Sequence, residues 1–175
     1  MTQTISNQVD DIGKLVDEFS SFARMPKAEI KMDNLSETLN ESFKLFNNVH
    51  TKINMKINKP ENEIYFNFDR FQLTQAFNNI IKNSVEAVLK IPNPSIKVNF
   101  FQKNKKIYVS FIDNGIGIDE SKISKLFEPY YTTKEKGTGL GLSIVKKIIE
   151  DHSGLIKIEK NKDMAGTTVS IIFNI

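Results

Sequence analysis

The chain has 175 residues, of which 39% are hydrophobic and 26% charged, with a formal net charge of +3 and no cysteine. This composition indicates one globular domain with a short appendage, and it excludes a disordered or fibrous chain, a disulfide framework and a thiolate nucleophile. Lysines are scattered among acidic residues, so no nucleic-acid partner is expected. No stretch reaches membrane-spanning length, and the first residues lack a signal-peptide pattern. We expect a soluble, cytoplasmic segment.

The first predicted element is a helix whose apolar residues recur at intervals of three or four. They are Ile5, Val9, Ile12, Val16, Phe19 and Ala23. This spacing is typical of a helix that packs against a helical partner along one seam. Pro26 ends the helix, because proline disfavours helical backbone at the residue before it. The sequence therefore predicts a domain boundary near residue 27, and it indicates residues 5–23 as a surface for homodimer pairing.

Two further helices are predicted from capping pairs at their N-termini. Asn34 with Glu37 indicates a helix to about residue 49, and Asp69 with Gln72 indicates one to about residue 90. A last helix is expected over residues 140–150, where apolar residues recur at helical spacing.

Strands are predicted where apolar and polar residues alternate. These segments lie near residues 52–57, 98–100, 107–111, 156–158 and 169–173. We expect antiparallel pairing with the helices on one face of the sheet. The fold class predicted is α+β, as a two-layer α/β sandwich.

The helix after Asp69 carries a polar stripe. Gln75, Asn79, Asn83 and Glu86 step by four, four and three residues, so they share one helix face. Asparagine is a mediocre helix former, and its repeated use in mid-helix requires a reason outside the helix. Two amide oxygens on one face could bind a hard cation such as Mg²⁺ that is itself bound to phosphates. An exposed polar face is the alternative.

Two glycine-containing segments follow. Residues 113–117, Asp-Asn-Gly-Ile-Gly, come directly after a predicted strand. There a carboxylate can accept a hydrogen bond from an adenine amino group, although an ordinary tight turn is the alternative. Residues 137–141, Gly-Thr-Gly-Leu-Gly, open the last helix, where backbone N–H groups and the helix dipole favour a phosphate. Neither segment is a P-loop or a Rossmann fingerprint.

The order of these segments carries a family resemblance. Residues 75–87, 113–117, 127–134 and 137–142 resemble the N, G1, F and G2 boxes of histidine-kinase catalytic domains. The resemblance covers about residues 28–175. It implies a Bergerat-type ATP-binding fold, shared with gyrases, heat-shock chaperones and mismatch-repair ATPases. It also implies ATP and Mg²⁺ as cofactors and transfer of the γ-phosphoryl group to a histidine.

The resemblance assigns an adenine pocket. Asp113 would recognise adenine, and Gly115 and Gly117 would shape the pocket around it. Thr167 would be a further contact near adenine.

The resemblance also assigns the phosphate end of the site. Asn79 and Asn83 would engage Mg²⁺ and the phosphates, with Lys82 at the rim, and these three are the expected catalytic residues. Residues 118–138 would form a mobile lid anchored at one end by Phe127. The remaining expected nucleotide contacts are Lys134, Gly137, Thr138, Gly139, Leu140 and Gly141.

Residues 5–26 are similar to the second helix of the dimerisation and phosphotransfer domain in the nitrogen-regulation branch of sensor kinases. This predicts a partial domain over residues 1–27 and a catalytic domain over residues 28–175. In that branch the phosphoacceptor histidine lies on the preceding helix, which is absent from this sequence. The implied partners are therefore that acceptor helix, outside this chain, and a response regulator receiver domain. Full-length relatives are usually anchored in the inner membrane.

The residue type at position 79 indicates whether water can be the phosphoryl acceptor. In hydrolytic relatives this helix position carries a glutamate that acts as a base toward water, and asparagine cannot take that proton. Poor ATP hydrolysis is therefore expected. Two alternatives remain open: a non-catalytic nucleotide-sensing or dimerisation fragment, and a serine kinase of the same superfamily. Ser84 departs from the family's usual alanine. His50 and His152 are expected to serve capping or packing.

Overall fold

The computed structural model describes residues 13, 20, 25–134, 137–162 and 164–175. Of the predicted helix over residues 5–23, only Gly13 and Ser20 fall within this part, both in helical backbone. The dimer surface predicted there lies outside the described residues. Among the described helices, none is both long enough and apolar enough to cross a bilayer.

The described chain contains seven strands, three α-helices and one 3₁₀ helix. In order they are β1 (Lys31–Asn34), α1 (Leu35–Val49), β2 (Asn54–Asn58), β3 (Tyr65–Phe68), α2 (Arg70–Val88), β4 (Ser95–Lys103), β5 (Lys106–Asp113), a 3₁₀ helix (Glu120–Lys125), α3 (Gly141–Asp151), β6 (Gly154–Lys160) and β7 (Thr167–Asn174).

The capping pairs begin their helices as predicted. The Asn34 side chain accepts a hydrogen bond from the Glu37 backbone N–H at 3.2 Å, and Oδ1 of Asp69 accepts one from Gln72 at 3.0 Å. Each side chain satisfies a backbone donor that has no partner inside its own helix. Both predictions are confirmed because capping depends only on residues that are close in the chain.

A five-stranded sheet has the order β2, β4, β5, β7, β6. All its pairs are antiparallel except β2 with β4, which is parallel. The expectation of antiparallel pairing is therefore wrong for β2. The reason is that β3 and α2 lie between the two strands, a connection long enough to return the chain to the same end of the sheet. A separate antiparallel ribbon of β1 and β3 was not predicted.

The helices cover one face of this sheet, which confirms the α+β two-layer architecture. Alternate residues of β5 and β7 are buried, while the residues between them are half-buried or exposed. Phe77 of α2 lies against Phe111 of β5, with ring centroids 5.8 Å apart, and both side chains are fully buried. The core thus fixes α2 directly over the end of β5.

His152 joins the end of α3 to the start of α2. Its Nε2 accepts a hydrogen bond from the Asp69 backbone N–H at 2.9 Å, and its Nδ1 lies 2.7 Å from the Ile148 carbonyl oxygen. Because Nε2 is the acceptor, Nδ1 is the donor. This confirms a capping and packing role for His152, and it holds together the two helices that flank the predicted nucleotide site.

Candidate functional site

Asp113 is the last residue of β5 and its side chain is buried. Its Oδ1 accepts hydrogen bonds from the backbone N–H groups of Gly115, at 2.9 Å, and Thr167, at 3.2 Å. Burial raises the pKa of the Asp113 carboxyl, and hydrogen bonds from Gly115, Thr167 and Ser84 partly oppose that rise. The two backbone hydrogen bonds hold the carboxyl group in one orientation.

The segment after Asp113 packs on the end of α2. The Ile116 backbone N–H donates to the Ala87 carbonyl oxygen at 3.2 Å. Asn114 holds the other side, since its Oδ1 accepts from the Ser95 backbone N–H at 2.8 Å. Ala87 lies one turn beyond Asn83 on α2, so this contact places the Asp113 carboxyl next to the polar stripe.

Two residues that sequence reasoning missed hold Asp113 from the turn between β6 and β7. The Asn161 side-chain amide donates to the Asp113 carbonyl oxygen at 2.7 Å. Gly166 has a φ of +112°, and a Cβ there would lie 2.0 Å from the same carbonyl oxygen. Only glycine fits that position. A glycine directly before Thr167 was the available sequence signal, whereas nothing in the sequence indicated Asn161.

The polar stripe of α2 is only partly solvated. Asn79 and Asn83 are half-buried, and Lys82 is exposed. Oδ1 of Asn83 accepts a hydrogen bond from the Lys134 ammonium at 2.9 Å, and the same ammonium forms an ion pair with Glu86. The Asn83 amide oxygen therefore faces a position that a cation can reach.

The predicted lid begins with a 3₁₀ helix capped by Asp119, whose Oδ1 accepts from the Ser121 backbone N–H at 3.0 Å. Phe127 follows and is partly buried against the core. The Lys146 ammonium lies 5.7 Å from the Phe127 ring centroid. These contacts hold the Phe127 ring against the core and near Lys146 of α3, and its role as an anchor of the lid stays a prediction.

The glycine loop packs against the other end of the lid. Gly139 has a φ of +72°, and a Cβ there would lie 2.4 Å from the Tyr130 carbonyl carbon. The Gly137 backbone N–H donates to the Lys134 carbonyl oxygen at 3.3 Å. By contrast, a Cβ on Gly141 would meet no atom within 4 Å. Packing among the described residues therefore does not require glycine at position 141, and the contact of Gly141 with nucleotide stays a prediction.

The start of α3 is open to an anion. Its N-cap residue, Leu140, makes no side-chain capping hydrogen bond, unlike the N-caps of α1 and α2. Leu140 therefore does not cap the first backbone N–H groups of α3, and N–H groups at a helix N-terminus are of the kind that bind phosphates. The Leu140 side chain is fully buried in the core. Its backbone N–H donates to the Thr138 hydroxyl at 3.4 Å, and its carbonyl oxygen accepts from the Ile144 N–H and the Ser143 hydroxyl. The contact of Leu140 with nucleotide therefore stays a prediction, which its side chain does not support.

The side chains fit a hard cation that is also bound to phosphates. Among the described residues, no group of three or more His, Cys, Asp or Glu side chains could hold a metal ion. Mg²⁺ is usually bound through few protein oxygen atoms, together with phosphate oxygens and water. Asn79 and Asn83 share one face of α2, and their side-chain amides carry oxygen donors of this kind.

Two depressions on the surface share no residue with this site. One, of about 450 Å³, is lined in part by Phe101 and the other, of about 640 Å³, in part by Phe71. Neither combines a buried carboxyl group with a glycine loop.

Comparison with known proteins agrees with this geometry. Residues 68–175 match the family described as histidine kinase-, DNA gyrase B-, and HSP90-like ATPase. Nitrogen regulation protein NtrY of Azorhizobium caulinodans is 38% identical over an aligned length of 175 residues. The alignment covers 97% of this chain and 23% of that protein. The chain spans about a quarter of the length of the curated relatives it matches.

Solved structures show the same fold. The catalytic domain of histidine kinase ThkA has a TM-score of 0.75 and 32% identity, covering 83% of this chain and 95% of that one. ThkA in complex with response regulator protein TrrA has a TM-score of 0.80 and 25% identity, covering 98% of this chain and 49% of that one.

Proposed function

This chain belongs to the histidine kinase-, DNA gyrase B- and HSP90-like ATPase family, and we propose that it transfers the γ-phosphoryl group of ATP to a histidine. The chain carries an ATP-binding catalytic domain of the sensor histidine kinase type. The proposed acceptor is a histidine other than His50 and His152. The observation that carries the proposal is the contact between Ile116 and Ala87. It joins the buried Asp113 carboxyl to the asparagine stripe of α2 in one site.

Asp113 receives the adenine amino group. Its carboxyl group is held by the N–H groups of Gly115 and Thr167, so no rotation is needed when the base arrives. Gly115 and Gly117 form the wall beside it, and Thr167 closes the pocket from β7. Adenine, which presents a donor there, is preferred over a base that presents a carbonyl oxygen.

The phosphates lie between α2 and the start of α3. Asn79 and Asn83 hold Mg²⁺, which neutralises phosphate charge when it is bound with ATP. Lys82 adds positive charge at the rim, and Lys134 does so from the lid. The backbone N–H groups of residues 137–141 orient the phosphate oxygens. Phosphoryl transfer mostly requires such positioning and charge neutralisation.

Water is a poor acceptor in this site. The Asn79 side-chain amide cannot remove a proton from it. A histidine needs no such base, because its neutral imidazole is itself a nucleophile. The acceptor is supplied by a helix of a dimerisation domain. Residues 1–27 are the part of that domain that contains its second helix, and residues 5–23 are the pairing surface.

The proposed partners follow from this reaction. One is the acceptor-histidine helix, and the other is a response regulator, as in the ThkA complex. We place the segment in the cytoplasm as part of a longer protein anchored in the inner membrane.

A transfer assay tests the proposal. The chain is mixed with a separately produced acceptor-histidine domain of an NtrY-type relative and with Mg·ATP labelled in the γ-phosphoryl group. We expect acid-labile, base-stable label on the acceptor, little free phosphate, and loss of labelling in Asn83→Ala. Asn99→Ala, a change of the same type on β4, is the matched control and keeps the activity.

Other outcomes would contradict the proposal. Acid-stable label on a serine would identify a serine kinase. Rapid release of free phosphate without transfer would identify a hydrolase. Binding of Mg·ATP without either reaction would identify a nucleotide-sensing module.

A further inference from the structure

Glu86, the last member of the polar stripe, has no role in the function described so far. Its carboxylate forms an ion pair with the Lys134 ammonium, which also donates to Oδ1 of Asn83 at 2.9 Å. Lys134 is 48 residues away in the chain and belongs to the end of the lid. The contact therefore connects the lid to α2 at the proposed Mg²⁺ ligand.

The backbone of the lid places Lys134 at this position. The Lys134 backbone N–H donates to the Thr132 hydroxyl at 3.1 Å. The Lys134 carbonyl oxygen accepts from the Gly137 backbone N–H at 3.3 Å. These two hydrogen bonds hold the backbone of Lys134, and its side chain extends toward α2.

We propose that Glu86 is a positioning residue of the nucleotide site: its carboxylate holds the Lys134 ammonium on Asn83 and fastens the lid to α2 until Mg²⁺ and nucleotide replace that ammonium. Competition by Mg²⁺ rests on the proposed function. The link between the lid and α2 rests only on the contacts of Lys134 with Glu86 and Asn83. The chain's own ammonium thus occupies the cation position of the nucleotide-free protein.

The Lys134 ammonium and Mg²⁺ cannot both bind the Asn83 amide oxygen, because both are cations. Mg²⁺ binds an oxygen ligand at about 2.0–2.1 Å. The second lone pair of the amide oxygen could accept an ammonium as well, but the two cations would then repel each other at close range. Lys134 must therefore leave Asn83 when Mg²⁺ binds there, and its ammonium becomes available to the phosphates. Glu86 sets how readily this exchange occurs.

Hydrogen exchange on the nucleotide-free chain tests the fastening. Amide exchange in residues 126–134 is compared between wild type, Glu86→Gln and Glu61→Gln, the last being the same change on an exposed loop away from the lid. Glu86→Gln is expected to accelerate exchange about two- to fivefold, the range for loss of one partly exposed ion pair. Glu86→Asp, which keeps the charge, recovers part of the protection. Equal exchange in Glu86→Gln and Glu61→Gln would overturn the proposal.

Calorimetric titration with ADP tests the competition. In wild type Mg²⁺ must displace the ammonium, so Mg²⁺ strengthens ADP binding less than it would without a competitor. The quantity compared is the Kd for ADP without Mg²⁺ divided by the Kd for ADP with Mg²⁺. This ratio is expected to be about two- to fivefold larger in Lys134→Gln than in wild type. Lys97→Gln, on an exposed position of β4, keeps the wild-type ratio.

The two experiments separate failure of this inference from failure of the proposed function. An unchanged ratio in Lys134→Gln would refute the competition at Asn83 while leaving nucleotide binding intact. A wild-type chain that binds no ADP would refute the proposed function. Faster exchange in Glu86→Gln would then still establish the fastening of the lid.

Discussion

Replacement of Asp113 by asparagine separates a binding role from a structural one. The two backbone N–H groups that bond to Asp113 both donate to Oδ1. The carbonyl oxygen of an asparagine can keep both bonds, so its NH₂ group takes the position of the other carboxylate oxygen. An adenine amino group would then meet a donor instead of an acceptor.

The expected loss of affinity is large. A hydrogen bond to a charged acceptor contributes about 1.5–3 kcal/mol, so Asp113→Asn should raise the Kd for Mg·ADP by about 10- to 150-fold. Titration calorimetry measures this, with Asp151→Asn as the control. Asp151 lies at the end of α3 and pairs with Lys147 on the same helix.

Asp113→Asn should weaken nucleotide binding without lowering the free energy of unfolding at pH 7. Burial raises the pKa of the folded-state Asp113 carboxyl, so this group favours folding below its unfolded pKa of about 3.9 and loses that contribution as pH rises through the folded value. At pH 7 the wild type therefore carries the cost of a buried charge that the variant lacks. Asp113→Asn should be at least as resistant to urea at pH 7, with the advantage vanishing in acid.

Two results would refute this reasoning. A Kd within about twofold of the wild-type value would show that Asp113 is not the adenine acceptor. A variant that unfolds at lower urea concentration than wild type at pH 7 would show that the ionised carboxylate stabilises the fold.

Three further substitutions test the supporting structure. Gly166→Ala should lower the free energy of unfolding by at least about 2 kcal/mol in urea titration, because its Cβ would collide with the Asp113 carbonyl oxygen at a φ that strains alanine; wild-type stability would contradict the geometry of this turn. Ser84→Ala should raise the pKa of Asp113 further, since it removes a hydrogen bond that opposes the effect of burial, and a carboxyl ¹³C titration that shows no rise would exclude that bond. Phe77→Ala should cost about 3–5 kcal/mol of unfolding free energy, and a smaller loss than about 1 kcal/mol would mean that Phe77 does not pack as described.

The features that the sequence predicted correctly depend on neighbouring residues. The caps at Asn34 and Asp69 each involve a residue three positions later, and alternation in β5 and β7 records which face is buried. The segments around Asp113 and residues 137–141 were recognisable because each follows or begins an element whose type is encoded locally.

The features that escaped prediction depend on residues distant in the chain. Pairing of β2 with β4 depends on the path of the chain through α2, which the alternation within either strand does not specify. Asn161 reaches Asp113 only because β7 pairs with β5. The contact between Lys134 and Glu86 likewise depends on how the lid folds back on α2. Strands of four residues, such as β1 and β3, are too short for alternation to identify them.

The location of the nucleotide is tested most directly by titrating the ¹⁵N-labelled chain with Mg·ADP and following its amide resonances. We predict saturable shifts at Gly115, Gly117 and Gly141 and at the side-chain amides of Asn79 and Asn83. Shifts confined to the depressions near Phe71 or Phe101, or no shifts at millimolar nucleotide, would contradict a site between β5, α2 and α3.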